Sequence, residues 1–423
     1  MESLPREIGQ TLPSTTDFLY SCCDSLYQLF KPFEGGDSLK VSLQSFLTSH
    51  SLEAAQNVYN TFLNIYRMPG LEALLRSMGE YEEKTARLLT HHRDHYVHSV
   101  DTYLLGIAVY VSNKPFRETV DRCLNYPDAY PSSEEFVYRW GLTALFHDMG
   151  YPIELCMGLI DSYSAQIIAP NLYIEGGLVK YSPIGKTGKT PITLNVLDYD
   201  ALTRLKILNP THELEKSFYK KYPELRNLRI ENAFKAIAWN LSRHIPCMTK
   251  EKYFREIKKG FTSGLTSGHV DHAIISSAVF LRWINQFYLV SGWNPAYFYY
   301  PAIDAASAIY LHNTLGYLYT QPPIMLPKLS VQQHPAAFLL FFCDHLQEWG
   351  RKTYLGDNTC IDYLSSSLKI DDQIFHLGLK PQPDANEKEV QSLIVNIESK
   401  IRKTIRVEDV FSDLSITIEP REG

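Results

Sequence analysis

The stretch that decides the fold is GLTALFHDMGYP, residues 141–152. With Trp140 just before it, Leu142, Leu145 and Phe146 form a dense apolar run that reads as a buried helix. Gly150, with Pro152 just beyond, places the end of that helix after the doublet His147-Asp148. An imidazole and a carboxylate at the buried end of an apolar helix cost free energy unless something pairs with them. A divalent metal suits both, through a neutral His nitrogen and an anionic Asp oxygen. One dipeptide does not make a site, so the rest of the chain must supply more ligands in similar settings.

Upstream, LEALLRSMGEYEEKTARLL leads into THHRDHYVHSVDTYLLGIAVYV, a helical pattern from Leu71 to Tyr110. His91, His95 and His98 recur at i, i+4, i+7 and share one face, with His92 beside them. Apolar residues from Val100 onward put His98 where the helix enters the core, and His91 and His92 at its solvated start. His95 is the main competitor for the ligand role. Residues 111–134 are rich in Pro and Asn and read as a loop, with Ser132 or Ser133 starting the next helix.

Downstream, ENAFKAIAWNLSRHIP and then LTSGHVDHAIISSAVFLRWINQFYLV are helical, with Thr266 or Ser267 as a cap for the second. His272 stands directly against its apolar run, and His269 lies three residues earlier as an alternative. In NPAYFYYPAIDAASAIYLHNTLG, Pro301 suits a first turn and His312-Asn313 closes the helix. HPAAFLLFFCDHLQEWGRK starts at Pro335 and buries Asp344 after Phe341, Phe342 and Cys343. That carboxylate needs either a metal or a salt bridge to an Arg such as Arg351.

The chain of 423 residues has room for more than one structural unit, and its 45% apolar and 21% charged content is that of a globular protein. A formal charge of −6 carries no nucleic-acid footprint. The seven cysteines are scattered without CxxC spacing, so neither a disulfide scaffold nor a zinc ribbon is expected. No signal-peptide core and no apolar run of membrane-spanning length stand out, so the expectation is a cytoplasmic protein with no membrane partner. The expected organisation is an N-terminal helical region (1–70), a metal-binding helical domain (71–355) and a small α+β extension (356–423). Weak apolar stripes near the N-terminus suit packing or a homo-oligomer contact. Residues 165–230, with Gly, Pro and Thr around short β-type runs, read as a small hairpin or irregular flap over a site. Its GKTGKT run lacks the spacing and the strand-to-helix context of a phosphate loop.

His98, His147-Asp148, His272, His312 and Asp344 each sit at the edge of an apolar helix, and a bundle can turn such residues onto one centre. An O/N ligand set without thiolate favours a hard or borderline ion such as Mn, Fe, Mg or Ni. The ordered set resembles the HD-domain superfamily of metal-dependent phosphohydrolases, through YVHSVDTYLLG, LFHDMGYP, HAIISSAVFL, AIYLHN and LLFFCDHLQEW, over roughly residues 90–352. That resemblance implies a mainly α fold, an HD-type helical bundle, holding one or two divalent ions (Mn, Mg, Fe, Co or Ni). It assigns His98, His147, Asp148 and Asp344 to a first metal, and His272 and His312 to a second metal or to the phosphate. Asp148 would bridge two ions, and Arg93 is a candidate phosphate contact, a surface salt bridge being its alternative. The implied activity is hydrolysis of a small-molecule phosphate ester, often a nucleotide, with Asp148, His272 and Arg93 in the chemistry.

Two departures blur the substrate class. Met149-Gly150-Tyr151 stand where many members that cleave cyclic dinucleotides place a Lys, and the doublet lies unusually far from His272. Some proteins with this ligand set are mixed-valent di-iron oxygenases, and a non-catalytic ligand-sensing or partner-binding module is the other alternative.

Overall fold

The computed structural model describes residues 12–29, 35–66, 68, 94–124, 132–152, 154, 172–175, 178–181, 193–195, 230–267, 270–291, 301–320, 326–347, 349, 363–381 and 387–419. These residues are mainly α-helical, with a small α+β element at the C-terminal end. The N-terminal helices are α1 (Thr15–Leu29), α2 (Gly36–Ser49) and α3 (Leu52–Ile65). Then come α4 (His95–Ser112), α5 (Lys114–Leu124) and α6 (Ser132–Ala144). After strands β1 (Leu172–Glu175), β2 (Leu178–Tyr181) and β3 (Thr193–Asn195), the helices resume. They are α7 (Ile230–His244), α8 (Lys250–Ser267), α9 (His272–Ser291), α10 (Ile303–Thr320) and α11 (Pro335–Leu346).

Helix α4 is buried on nearly every side from Val97 to Tyr110, which is what a helix apolar all round must do. It packs against α1, α3, α6 and α11, while α10 packs against α9 and α11. The close approach of α4 and α6 depends on Gly106. A Cβ there would meet the Trp140 indole at 2.2 Å, and the same indole donates Nε1–H to Tyr103 O at 2.8 Å. Tyr110 and Phe136 stack at 3.8 Å one turn further along.

At the C-terminal end, β4 (Tyr363–Ile370), β5 (Ile374–Pro381) and β6 (Asp413–Ile418) form a sheet in that order, β4–β5 antiparallel and β5–β6 parallel. Helix α12 (Glu387–Thr404) makes the crossover that a parallel pair requires. The sheet joins the helical core through Phe342, whose ring meets Phe375 and Phe411. Asn113, between α4 and α5, adds hydrogen bonds to the carbonyls of Asp371 and Val410. The three short strands β1, β2 and β3 pair as an antiparallel sheet in that order.

Local readings of the sequence need four corrections. Residues 114–124 are helix, not loop: Asn113 Oδ1 caps Phe116 N at 2.7 Å, and Pro115 fits the first turn. The helix before the doublet stops at Ala144, so His147-Asp148 lie in the turns that follow, and Gly150 is not a left-handed cap. Thr266 and Ser267 end α8 rather than start α9, which is capped by Asp271 through Ala273 N at 2.8 Å. His312 lies within α10, which runs on to Thr320.

Candidate metal centre

The six ligand candidates are brought within reach of one another. His98 comes from the first turns of α4, His147-Asp148 from the turns after α6, and His272 from the first residue of α9. His312 comes from the middle of α10 and Asp344 from the end of α11. His98, His147 and His312 are at most 2% exposed. Asp148 is the hinge of the arrangement. Its Oδ2 lies 3.5 Å from His147 Nε2 and 4.0 Å from His98 Nε2, while Oδ1 lies 3.3 Å from His272 Nε2 and 3.8 Å from His312 Nε2. Two groups with metal-ligand geometry result, His98-His147-Asp148 and Asp148-His272-His312. Asp344 Oδ1 adds to the first, 2.9 Å from His98 Nε2 and 3.6 Å from His147 Nε2.

The tautomers are dictated by partners that only accept. His147 Nδ1 donates to Ala144 O at 2.7 Å, and His312 Nδ1 to Ile309 O at 2.5 Å. His272 Nδ1 donates to Glu154 Oε2 at 2.7 Å, and His98 Nδ1 to Gln347 Oε1. With four protons turned outward, the four Nε2 atoms face inward, His98 Nε2 onto the Asp344 carboxylate at 2.9 Å. His272 Nε2 and His312 Nε2 then face each other at 3.1 Å, and His147 Nε2 is buried with no hydrogen-bond partner. Lone pairs so placed against carboxylates need a shared proton or a cation between them. The donor set therefore fits a metal, with each ring fixed by an outer partner as metal-binding imidazoles usually are.

The electrostatics agree. Burial would raise the Asp148 and Asp344 carboxyls, but the histidines around them hold both well below the usual carboxylate range. Burial works to lower the His272 imidazole, yet Asp148 and Glu154 raise it well above its usual value, and the same contest with Asp148 and Asp344 raises His147. His312, desolvated and beside His147, is pushed down to about 4. Without a cation the cluster thus favours protons on His272 and His147 over His312. Cys343, next to Asp344, is a buried thiol raised well above its usual value, so no thiolate competes.

No family model, curated protein or solved structure matches this chain. The geometry therefore stands on its own residues.

His95 and His98 prove not to exclude each other: His95 Nδ1 sits 2.6 Å from Asp148 Oδ2, and its ring centroid lies 3.6 Å from that of Tyr151, tilted by 35°. Arg93, His91, His92, His269, Arg351 and the GKTGKT run lie outside the described residues. Asp344 is engaged by His98 and His147. Sequence reasoning missed Glu154, Gln347, Asp101 and Ser276. Of these, Glu154 and Gln347 follow a ligand by a few residues, six after Asp148 and three after Asp344, and that nearness was the available signal. Ser276 accepts Gly150 N–H at 2.7 Å and pins the doublet to α9. Among the described residues no helix is long and apolar enough to cross a membrane.

Proposed function

We propose that the chain is a metal-dependent phosphohydrolase of the HD-domain type, acting on a small-molecule phosphate ester of the nucleotide kind. The observation that carries the reading is the orientation of the rings: four imidazoles turn Nδ1 outward to accepting partners and Nε2 inward onto two carboxylates, with one Asp148 oxygen toward each half. Bound there, one or two divalent ions (Mn, Mg, Fe, Co or Ni) would lower the pKa of a coordinated water and screen phosphoryl charge. His98, His147, Asp148 and Asp344 would hold the first ion, and Asp148, His272 and His312 the second. In the overall reaction the P–O ester bond breaks, water supplies the new P–O bond, and the leaving oxygen gains a proton.

The chain's own groups supply the rest. In a single-metal enzyme His272, paired with Glu154, would instead hold a proton or meet a phosphoryl oxygen. Tyr151, between the rings of His95 and His272, walls the site. Arg93, if it reaches the phosphate, adds a second positive contact. The ester specificity rests on the resemblance in the ordered motifs, and the site itself supports the metal.

The test is phosphate release over a nucleotide panel with Mn, Mg, Co and Ni, comparing wild type with Asp148→Ala of verified fold. Metal-dependent release lost in the variant supports the proposal. Two irons per chain with oxygen consumption and no hydrolysis would replace it with the di-iron oxygenase. A protein that binds nucleotides without metal or turnover would make it a sensing module.

A further inference from the structure

We infer that Gln347 is a positioning residue for the metal centre, itself held by Asp101 of α4 and, through it, by His50 at the end of α2. The inference rests on the metal reading of the cluster. Gln347 is the first residue past α11, three beyond Asp344, and is fully buried. Its amide has one allowed orientation. Nε2 donates to Asp101 Oδ2 at 3.2 Å and to Trp349 O at 2.7 Å, a carboxylate and a carbonyl that only accept. Oε1 is thereby turned to His98 Nδ1, which must carry the proton to meet it. His98 Nε2 is left facing Asp344 Oδ1 at 2.9 Å and Asp148 Oδ2 at 4.0 Å, where it shares a proton with the carboxylate when no ion is bound and is the ligand atom when one is.

The other three histidines are fixed differently. His147 and His312 use carbonyls three residues back in their own segment, and His272 uses a carboxylate. Among the four, His98 is the one whose proton position depends on a neutral amide from another element. Asp101, one turn beyond His98 on α4, locks that amide and is locked in turn by His50 Nε2 at 2.8 Å. His50 follows α2 with φ 43, the single positive-φ residue other than glycine among the described residues. It is the left-handed C-cap of α2, its N–H bonded to Phe46 O, and through Asp101 and Gln347 its side chain links α2 to a metal ligand. A Glu at 347 would set its charge against Asp101, and an apolar residue would leave His98 Nδ1 without its acceptor.

Two measurements test this. The first is ring-resolved NMR of metal-free, 15N-histidine-labelled protein, the signal assigned by its absence in His98→Gln. The wild type should show a protonated Nδ1, whether or not Nε2 shares a proton with Asp344, and a bare Nδ1 overturns the inference. The second is Zn2+ affinity by equilibrium dialysis for wild type and Gln347→Met, which keeps volume but removes donor and acceptor, with folding checked by circular dichroism. The variant should bind about 10–100-fold more weakly, as loss of an outer-sphere partner does. Wild-type affinity in a folded Gln347→Met overturns the inference. A wild type that binds no Zn2+ refutes the metal reading instead, while the NMR result still decides whether Gln347 sets the tautomer.

Discussion

Gly106→Ala tests the packing that places His98 beside His147. A Cβ at 106 would come 2.2–2.4 Å from Cε2, Cζ2 and Nε1 of Trp140, more than an ångström short of the ~3.5 Å at which such atoms rest. Trp140 is 2% exposed and has no room to recoil, so α4 and α6 must part or the indole must give up Tyr103 O. Overpacking of this kind costs about 1–3 kcal/mol, and the lost hydrogen bond about 1 kcal/mol more. The better helix propensity of Ala returns about 1 kcal/mol, leaving a net loss of roughly 1–3 kcal/mol. For a cooperative unit of about 150–250 residues a loss near 2 kcal/mol lowers Tm by about 4–8 °C. Thermal unfolding of wild type, Gly106→Ala, Trp140→Phe and the double variant reads it directly. The double variant should be less destabilised than the sum of the singles, because the smaller ring vacates the space the methyl needs. Gly106→Ala at or above wild-type stability would refute the reasoning.

Further outcomes follow from other contacts. Gly150→Ala would drive a Cβ to 2.7 Å from His272 O and Ser276 N, both backbone atoms, so α9 must withdraw from the doublet. Mn2+ titration should then show the Asp148-His272-His312 half weakened more than the His98-His147 half, and equal affinities would contradict the placement. His334, fully buried, caps α11 through Ala337 N and is pushed down to about 4 by burial. A depressed histidine is neutral in the folded chain while the unfolded one takes a proton near 6.5, so its stability contribution is present above pH 6.5 and is lost as pH falls toward 4. Between pH 7.5 and 5 this amounts to about 2 kcal/mol, which His334→Asn, a residue that still caps, should lack in urea unfolding at the two pH values. Saturating Mn2+ at about 100 times its Kd should stabilise wild type by about 2.7 kcal/mol, and should stabilise Asp148→Ala by far less.

The helical class and the ligand-bearing segments were legible because burying His98, His147 and Asp344 next to long apolar runs leaves a mark in one dimension. Apolar helices such as α4 and α11 announce themselves by composition. The α5 helix did not, because its Pro and Asn were read as breakers when they serve as first-turn residue and cap. The end of α6 was misjudged because Gly150 lacks a side chain for a close approach to α9 rather than for a turn. Gln347, Asp101 and His50 could not be linked from sequence, since the contacts that join them span 246 and 51 residues. Glu154 belongs with them: its role appears only when α9 arrives beside the doublet.

The most direct test of the metal centre is an anomalous-difference map from crystals grown with Mn2+. The account predicts density among His98, His147, Asp148 and Asp344, with a second ion, where present, among Asp148, His272 and His312. A map with no peak within bonding distance of Asp148, from crystals whose histidines keep the orientations described, would contradict it.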